Sequence, residues 1–442
     1  MAPTTRDLEA LAVHHDSDIM ADDLAEKKVS ANESPPENDP FGNEECGEVK
    51  YRVMKCASST VEFHFIPYLF LTYPGSAPSS SSWACLAFPG TLLRYPQVHS
   101  MGDAGEILFG RIGREILFFG QLLFCIFLMS SHILTFTVLF NTITGHGTCT
   151  IVFGVVGLVV SFIGALPRTM GKVYWMSLAS CTSITVATIV TMVAIAVQAP
   201  DHVQVDITTH PSFSTAFLSV TNIVFAFIAH VAFFGFASEM EDPRDFPKSL
   251  AMLQVTDTTM YIVTAMVIYR YAGPDVASPA LSSAGPLMSK VAYGLAIPTV
   301  IIAGVVFGHV ASKYIYVRVW RGSPQMHTNS LAAVGSWVAI ALGVWVIAWI
   351  IAESIPVFND LLSLISSLFG SWFSYGLPAM FWLVMNRGQY TASPRKIFLT
   401  IVNLVIFGIA CAICGLGLYV SGKAIHDSSS SASWTCANNA ST

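Results

Sequence analysis

Charge is what this sequence has least of. Asp, Glu, Lys and Arg make up 11% of its 442 residues, while 53% are hydrophobic. Soluble domains carry roughly 25% charge, so there are too few ionised groups here to build a water-facing surface. A soluble enzyme, a nucleic-acid binder and a secreted disulfide scaffold are excluded on that ground. Other absences narrow the field. The chain does not open with a basic segment followed by an apolar one, so no cleaved signal peptide is expected. The nine cysteines are scattered without the His/Cys spacing of a zinc site. There is no Walker segment for a nucleotide, and no paired acids, metal-ligand cluster or activated nucleophile within an apolar run. We therefore expect no metal, no cofactor and no enzymatic activity. Cys411 and Cys414 form a CxxC on one face of an apolar helix and read as small apolar fillers.

Long apolar runs are what the chain has in abundance. A hydrocarbon core about 30 Å thick needs roughly 20 apolar residues of helix. Nine runs meet that length: Ile116–Phe140, Thr148–Leu166, Tyr174–Val197, Ser214–Ala237, Leu250–Ile268, Val291–Ala311, Leu331–Ala352, Leu361–Met385 and Ile397–Val420. The expected fold class is an all-α polytopic membrane protein with the lipid bilayer as its surroundings.

Lys and Arg mark the cytoplasmic loops of such proteins. Alternate connections carry Arg111 and Arg114, Arg168 and Lys172, Arg244 and Lys248, Lys313, Arg318 and Arg321, and Arg387, Arg395 and Lys396. The opposite set has only Arg270, Lys290 and Lys423. The base-rich loops are expected in the cytoplasm and the Ser-rich tail 422–442 outside or in a lumen. Asn439-Ala440-Ser441 in that tail is formally a glycosylation sequon and reads as chance so near the chain end. Residues 1–50 hold 13 acids and 4 bases, a net of −9. With few large apolar residues, the tail 1–55 reads as disordered and cytoplasmic.

The most informative stretch links the fourth run to the fifth. Asn222-Ile-Val-Phe-Ala-Phe-Ile-Ala-His230 leads into Glu239-Met-Glu-Asp-Pro243-Arg-Asp-Phe-Pro247-Lys248. An apolar helix with a central His thus runs into an acidic, proline-punctuated loop. This resembles the amino acid/auxin permease family of amino acid transporters, particularly its fungal neutral amino acid permeases. Arg94-Tyr-Pro-Gln-Val-His-Ser-Met-Gly-Asp-Ala-Gly-Glu106 looks like the family's cytoplasmic segment after its second helix, and Tyr269-Arg-Tyr-Ala-Gly273 also matches. The likeness covers roughly 94–421, the expected transporter domain.

The resemblance implies a broken-helix fold of two inverted five-helix repeats plus one, eleven spans in all. Ile116–Phe140 would then be the third helix and Ser214–Ala237 the sixth. The segment 56–93 departs from this pattern. Its longest apolar stretch, about Phe65 to Tyr73, is too short to span, yet Glu48–Lys55 before it still looks like the family. We expect 56–93 to be a spliced-in or frame-shifted stretch that replaces the first two helices.

The resemblance further implies secondary active transport of neutral or aromatic amino acids by alternating access, driven by protons. A non-transporting sensor or inactive product on the same scaffold is the alternative. The expected membrane is the plasma membrane, with the vacuolar membrane second. Substrate-binding candidates are Asn222, Phe225, Ala226, Phe227 and His230, at or near the break that the sixth helix makes in this architecture. Intramembrane ionisable groups are functional candidates by default, so His230 and Asp257 are the proton-coupling candidates. For His230 the competing reading is a neutral imidazole bonded to a neighbouring helix; for Asp257 it is a wet cytoplasmic vestibule. Glu239, Asp242, Arg244, Asp245 and Lys248 are candidates for a salt-linked cytoplasmic gate, or else form a rigid turn. His132 and His309 are read as structural.

Overall fold

In a computed structural model the chain is described over residues 100–168, 173–198, 211–228, 230–233, 246–273, 276–326 and 328–440. The acidic tail, the segment 56–93 and the gate candidates Glu239, Asp242, Arg244 and Asp245 lie outside these residues. Ten α-helices and no strand occur among the described residues. They are α1 (Met101–Thr144), α2 (Thr150–Ala165), α3 (Val173–Gln198), α4 (Phe213–Ala226), α5 (Phe246–Ala272), α6 (Pro286–Trp320), α7 (Leu331–Ser354), α8 (Phe358–Ile365), α9 (Leu377–Met385) and α10 (Pro394–Ala432). A π-helical segment, Ser366–Gly376, joins α8 to α9. Each of the nine expected runs falls, in whole or in part, on these helices. Seven stretches are long and apolar enough to cross a bilayer, and α2 and α4 are shorter apolar helices.

One span differs from the expectation. Ser214–Ala237 was expected as one helix, yet α4 stops at Ala226, and residues 234–237 lie outside the described residues. Leu361–Met385 was expected as one helix and lies within one continuous span, Phe358–Met385, that widens to π geometry over Ser366–Gly376. The last helix runs past Val420 to Ala432, taking in part of the expected tail. α1 has 44 residues, about 66 Å of straight helix at 1.5 Å per residue, twice what the bilayer needs. It is not one rod. Gly110 takes φ 64°, ψ −150°, backbone that favours a residue without Cβ, and Met101–Leu108 bends back against the following turn. A Cβ on Gly105 would fall 2.4 Å from the Gly113 carbonyl oxygen. Ser100 and Asp103 close the start of α1 with a reciprocal capping box.

Polarity is arranged opposite to that of a water-soluble protein. Ser130, Ser131, Thr135, Thr137 and Asn141 of α1 are buried, while Ile116, Phe119 and Leu123 are exposed, as are Ile401, Leu404 and Val405 of α10. Apolar residues face outward where the solvent is hydrocarbon, and hydroxyls turn inward to find partners. Several do so on their own helix, as Thr135 Oγ1 donates to the Ser131 carbonyl at 2.8 Å.

α6 is the central column and packs on α1, α2, α3 and α7. Its small residues let neighbours approach closely, as membrane helices require. Gly304 faces His132 of α1, and Gly308 lies under the Trp345 indole of α7. His132 also lies against Phe307, and His309 against Trp337.

The loops sort to two ends. At one, Arg318 pairs with Glu115. Buried Arg168 donates to the Thr328 carbonyl and the Tyr316 hydroxyl, both at 2.8 Å. Trp337 Nε1 donates to the Leu166 carbonyl at 2.9 Å. These contacts bring the base-rich ends of α1, α2 and α6 together. At the other end a disulfide joins Cys149, just before α2, to Cys436 after α10. Cys411 and Cys414 are both free thiols.

A Cβ at Gly308 would stand 2.7 Å from the Trp345 ring, whereas one at Gly294 of the same helix would meet nothing within 4 Å. Gly308→Ala is therefore expected to destabilise by about 1–3 kcal/mol through overpacking. Gly294→Ala should be neutral or slightly stabilising, since Gly costs a helix interior roughly 0.5–1 kcal/mol. Thermal unfolding of the purified protein in detergent checks both.

Candidate functional site

α4 is 14 residues long, about 21 Å at 1.5 Å per residue, shorter than the roughly 30 Å of a hydrocarbon core. Its last turn tightens: the Phe227 amide donates to the Val224 carbonyl at 3.1 Å and the Ile228 amide to Phe225 at 3.2 Å. Phe227 leaves helical geometry at φ −113°, ψ 14°, and a short 3-10 turn begins at His230. A helix end leaves carbonyls without an intrahelical partner, and such groups need partners inside a membrane. The Tyr261 hydroxyl of α5 supplies one, donating to the Ala226 carbonyl at 3.2 Å. The Phe227 ring stands edge-on to Tyr261.

The π-helical segment faces this break. His230 is 1% exposed, and its Nδ1 lies 2.9 Å from Ser374 Oγ. Ahead of the break, Asn222 accepts from Ser363 Oγ at 2.9 Å and donates through Nδ2 to Asn359 Oδ1. Ser367 Oγ donates to the Ser363 carbonyl and Ser371 Oγ to the Ser367 carbonyl, both at 2.7 Å. Together with Ser374 they form a buried serine ladder whose back-bonding hydroxyls compete with the regular helix pattern. A π-helical run at such a place is a frequent mark of a functional site.

Small residues let the broken helix come this close. A Cβ on Gly370 would sit 2.3 Å from Ile228 Cδ1, and one on Gly417 of α10 would sit 2.3 Å from Ser367 Oγ and 3.1 Å from Thr221 Cγ2. The break is thus walled by Phe225, Ala226 and Ile228 on one side and by the serine ladder on the other.

Of the residues singled out in the sequence, Asn222, Phe225 and Ala226 lie in the last turns of α4 and are buried. Phe227 is its C-cap and His230 begins the turn beyond. Asp257 is 2% exposed, one turn before Tyr261 on the same face of α5. It is buried within the protein. Lys248 is exposed in the first turn of α5. Sequence reasoning missed Tyr261, Asn359 and the serines. The spacing Ser363, Ser367, Ser371 at intervals of four, with Ser366 and Ser374 beside them, was the signal available.

An all-helical bundle of apolar helices, one of which breaks against a π-helical stretch of another, has the architecture of a broken-helix membrane transporter. The chain matches a solved Na+-coupled sialic acid symporter, in a substrate-bound outward-open state, with a TM-score of 0.52 at 11% sequence identity over 88% of this chain and 92% of that one. That likeness is one of fold. The family described as transmembrane amino acid transporter protein matches residues 83–422. A Neurospora crassa N amino acid transport system protein is 36% identical over 348 residues, 76% of this chain and 74% of the relative. A transmembrane transporter of Fusarium pseudograminearum is 29% identical over 332 residues, 73% and 70% of the two chains. The chain belongs to the transmembrane amino acid transporter family. It is a multi-pass integral membrane protein, and a transporter rather than an enzyme.

Gly370→Ala is expected to destabilise by about 1–3 kcal/mol because its Cβ meets Ile228. Adding Ile228→Ala should recover part of that loss, since the two groups share one space. A double-mutant cycle of thermal stability checks the coupling; strictly additive effects would contradict the close packing described.

Proposed function

We propose that this protein carries neutral amino acids, aliphatic and aromatic, across the plasma membrane by proton-coupled alternating access. The observation that carries this reading is the break in α4 opposite the serine ladder. The C-terminal end of a helix carries a partial negative charge on its unpaired carbonyls. The carbonyls of Phe225 and Ala226 each keep a second lone pair and suit an α-ammonium group. The serine hydroxyls and the Asn222 carboxamide can bond the carboxylate. Phe225, Ala226, Phe227 and Ile228 offer apolar contact to a side chain. The side chains that line the break itself are uncharged or apolar apart from His230, with Asp257 and Asp360 buried one step behind them, and we read this lining as suited to a neutral cargo. The name of the Neurospora relative, an N amino acid transport system protein, supports the same class.

His230 and Asp257 are the groups we assign to the proton. An imidazole has an unperturbed pKa near 6.5 and changes charge in the physiological range. His230 reaches Ser374 across the break, so a proton on its ring would alter the bond that links the broken helix to the π-helical stretch. Asp257 lies one turn, about 6 Å, from the tyrosine that holds the end of α4. Lys248 and the acids of the preceding loop remain our candidates for the cytoplasmic gate.

Orientation follows from two independent features. The base-rich ends gather on one side, as cytoplasmic loops do. The Cys149–Cys436 disulfide lies at the other, and disulfides persist in oxidising surroundings. We place the base-rich end and the N-terminus in the cytoplasm. A sensor without transport activity is favoured by one feature, the lack of a spanning apolar run in 56–93.

Uptake of labelled neutral amino acids into proteoliposomes tests the reading. An inside-alkaline gradient is expected to drive accumulation in the absence of Na+, and His230→Ala to reduce gradient-driven accumulation about tenfold, within the usual range of coupling energies. Solute exchange without a gradient should be less affected. Binding without flux would favour the sensor; accumulation driven by Na+ and indifferent to pH would overturn the proton assignment.

A further inference from the structure

After α10 the chain turns back across the disulfide end of the bundle. Ser433 Oγ donates to the Ser354 carbonyl at 3.0 Å, and the Trp434 amide to the Glu353 carbonyl at 3.4 Å. The Trp434 ring meets Trp349 edge-on at 5.5 Å between centroids. Cys436 is bonded to Cys149, and the Ala437 carbonyl accepts from Thr150 Oγ1 at 2.6 Å. Asn439 is 8% exposed. Its Nδ2 donates to Thr137 Oγ1 and its Oδ1 accepts from Asn141 Nδ2, both at 2.8 Å. The sequon asparagine is therefore committed to the protein interior in this docked state.

The segment is thus fastened at once to α1, α2 and the end of α7. Beneath it lies a cavity of about 230 Å3 whose lining includes Leu134, Thr137, Glu353, Pro356, Val357 and Asn439. Pro356 and Val357 belong to the connection between α7 and α8, and Val357 is the N-cap of α8. Two residues further on, Asn359 bonds Asn222 of the broken helix, and Ser363 does so one turn later. A short covalent and hydrogen-bonded path therefore runs from the C-terminal segment, through the α7–α8 connection, to the candidate site.

We propose that residues Ser433–Ala440 are a strap, fastened by the Cys149–Cys436 disulfide, that holds the first turn of α8 in place and so sets how readily the Asn222–Asn359–Ser363 clasp opens toward the non-cytoplasmic side. The consequence for transport rests on the function proposed above; the mechanical link does not. The strap is suited to release. Asn141 keeps its bond to Thr150 and its contact with His146 when Asn439 leaves, and Thr137 keeps its bond to the Leu134 carbonyl. Few polar groups are stranded by undocking, so the disulfide is the main fastening.

Hydrogen–deuterium exchange of the full-length protein in detergent, before and after dithiothreitol, tests the link. Two electrons and two protons from the dithiol convert the bond to two thiols as the reagent closes to its own disulfide. Exchange is expected to rise on the order of tenfold in residues 433–440 and also in 355–365, while α6 stays unchanged. Cys436→Ser should match reduced wild-type protein and give no further response to reductant; if that variant does not fold, the wild-type comparison still decides. A rise confined to 433–440 with 355–365 unchanged would overturn the proposal. In proteoliposomes, reduction should change the uptake rate of the wild type and leave Cys436→Ser unaltered. Loosening of α8 with an unaltered uptake rate would overturn the gating role. Absence of uptake in both states would tell against the proposed function and leave the exchange result standing.

Discussion

Hydrocarbon offers no hydrogen bond to a polypeptide, and this one constraint organises the structure. Every backbone group at membrane depth must find a protein partner. Most do so inside continuous helices. At the end of α4 they do not, and the surrounding elements show the cost in their composition. Tyr261 caps the Ala226 carbonyl from a neighbouring helix, the last amides shift to carbonyls three residues back, and a π-widened helix presents a row of hydroxyls. A break of this kind persists where its surroundings are shaped around it, which is why it is the place to look for a solute.

The same constraint explains why so much of the interior is Ser, Thr and Gly. There is little hydrophobic gain in moving a side chain from lipid into a protein core, so helices associate through close contact and shared hydrogen bonds. Gly308 under Trp345, Gly370 against Ile228 and Gly417 against Ser367 bring helices together at distances that a methyl group would prevent. Two of these three contacts border the candidate site. Packing and site geometry are in that sense one feature: the glycines that let α8 to α10 close on α4 also bring the serine ladder within reach of the break.

Much of this was legible in the sequence, for identifiable reasons. Spans are written in length and apolarity, which need no knowledge of neighbours; seven of the nine expected runs lie on helices long enough to cross a bilayer and the other two on shorter apolar helices. The alternation of Arg and Lys gave an expected sidedness, and the contacts of Arg168 and Arg318 join three of the base-rich helix ends. The break in α4 was not legible from composition, because Phe225-Ala-Phe-Ile-Ala-His-Val-Ala-Phe-Phe234 is as apolar as an unbroken helix; only the family resemblance pointed to it. The π-helical widening after Ser366 was missed because serine fits lipid-buried helices well enough to raise no alarm. The subdivision of α1 had a trace, the glycines at 102, 105, 110 and 113, whose effect depends on two turns meeting face to face.

The disulfide escaped for a different reason, and what it does alters how the bundle is to be understood. Cys149 and Cys436 are 287 residues apart, one in a short polar connection and the other in a Ser-rich tail, so no spacing pairs them. Only the fold brings the end of α10 back to the start of α2. A crosslink at that position does more than stabilise. Alternating access requires some helices to move relative to others, and a covalent tie between the α1–α2 connection and the chain end restricts which can. With Arg168 anchoring α2 to the α6–α7 loop at the opposite end, α2 is tied at both of its ends, to the C-terminal segment at one and to α6 and the α6–α7 loop at the other. α4 bonds the start of α8 through Asn222, and His230 beyond its end bonds Ser374 of the π-helical stretch; under the function proposed above these are the partners a solute would exchange for.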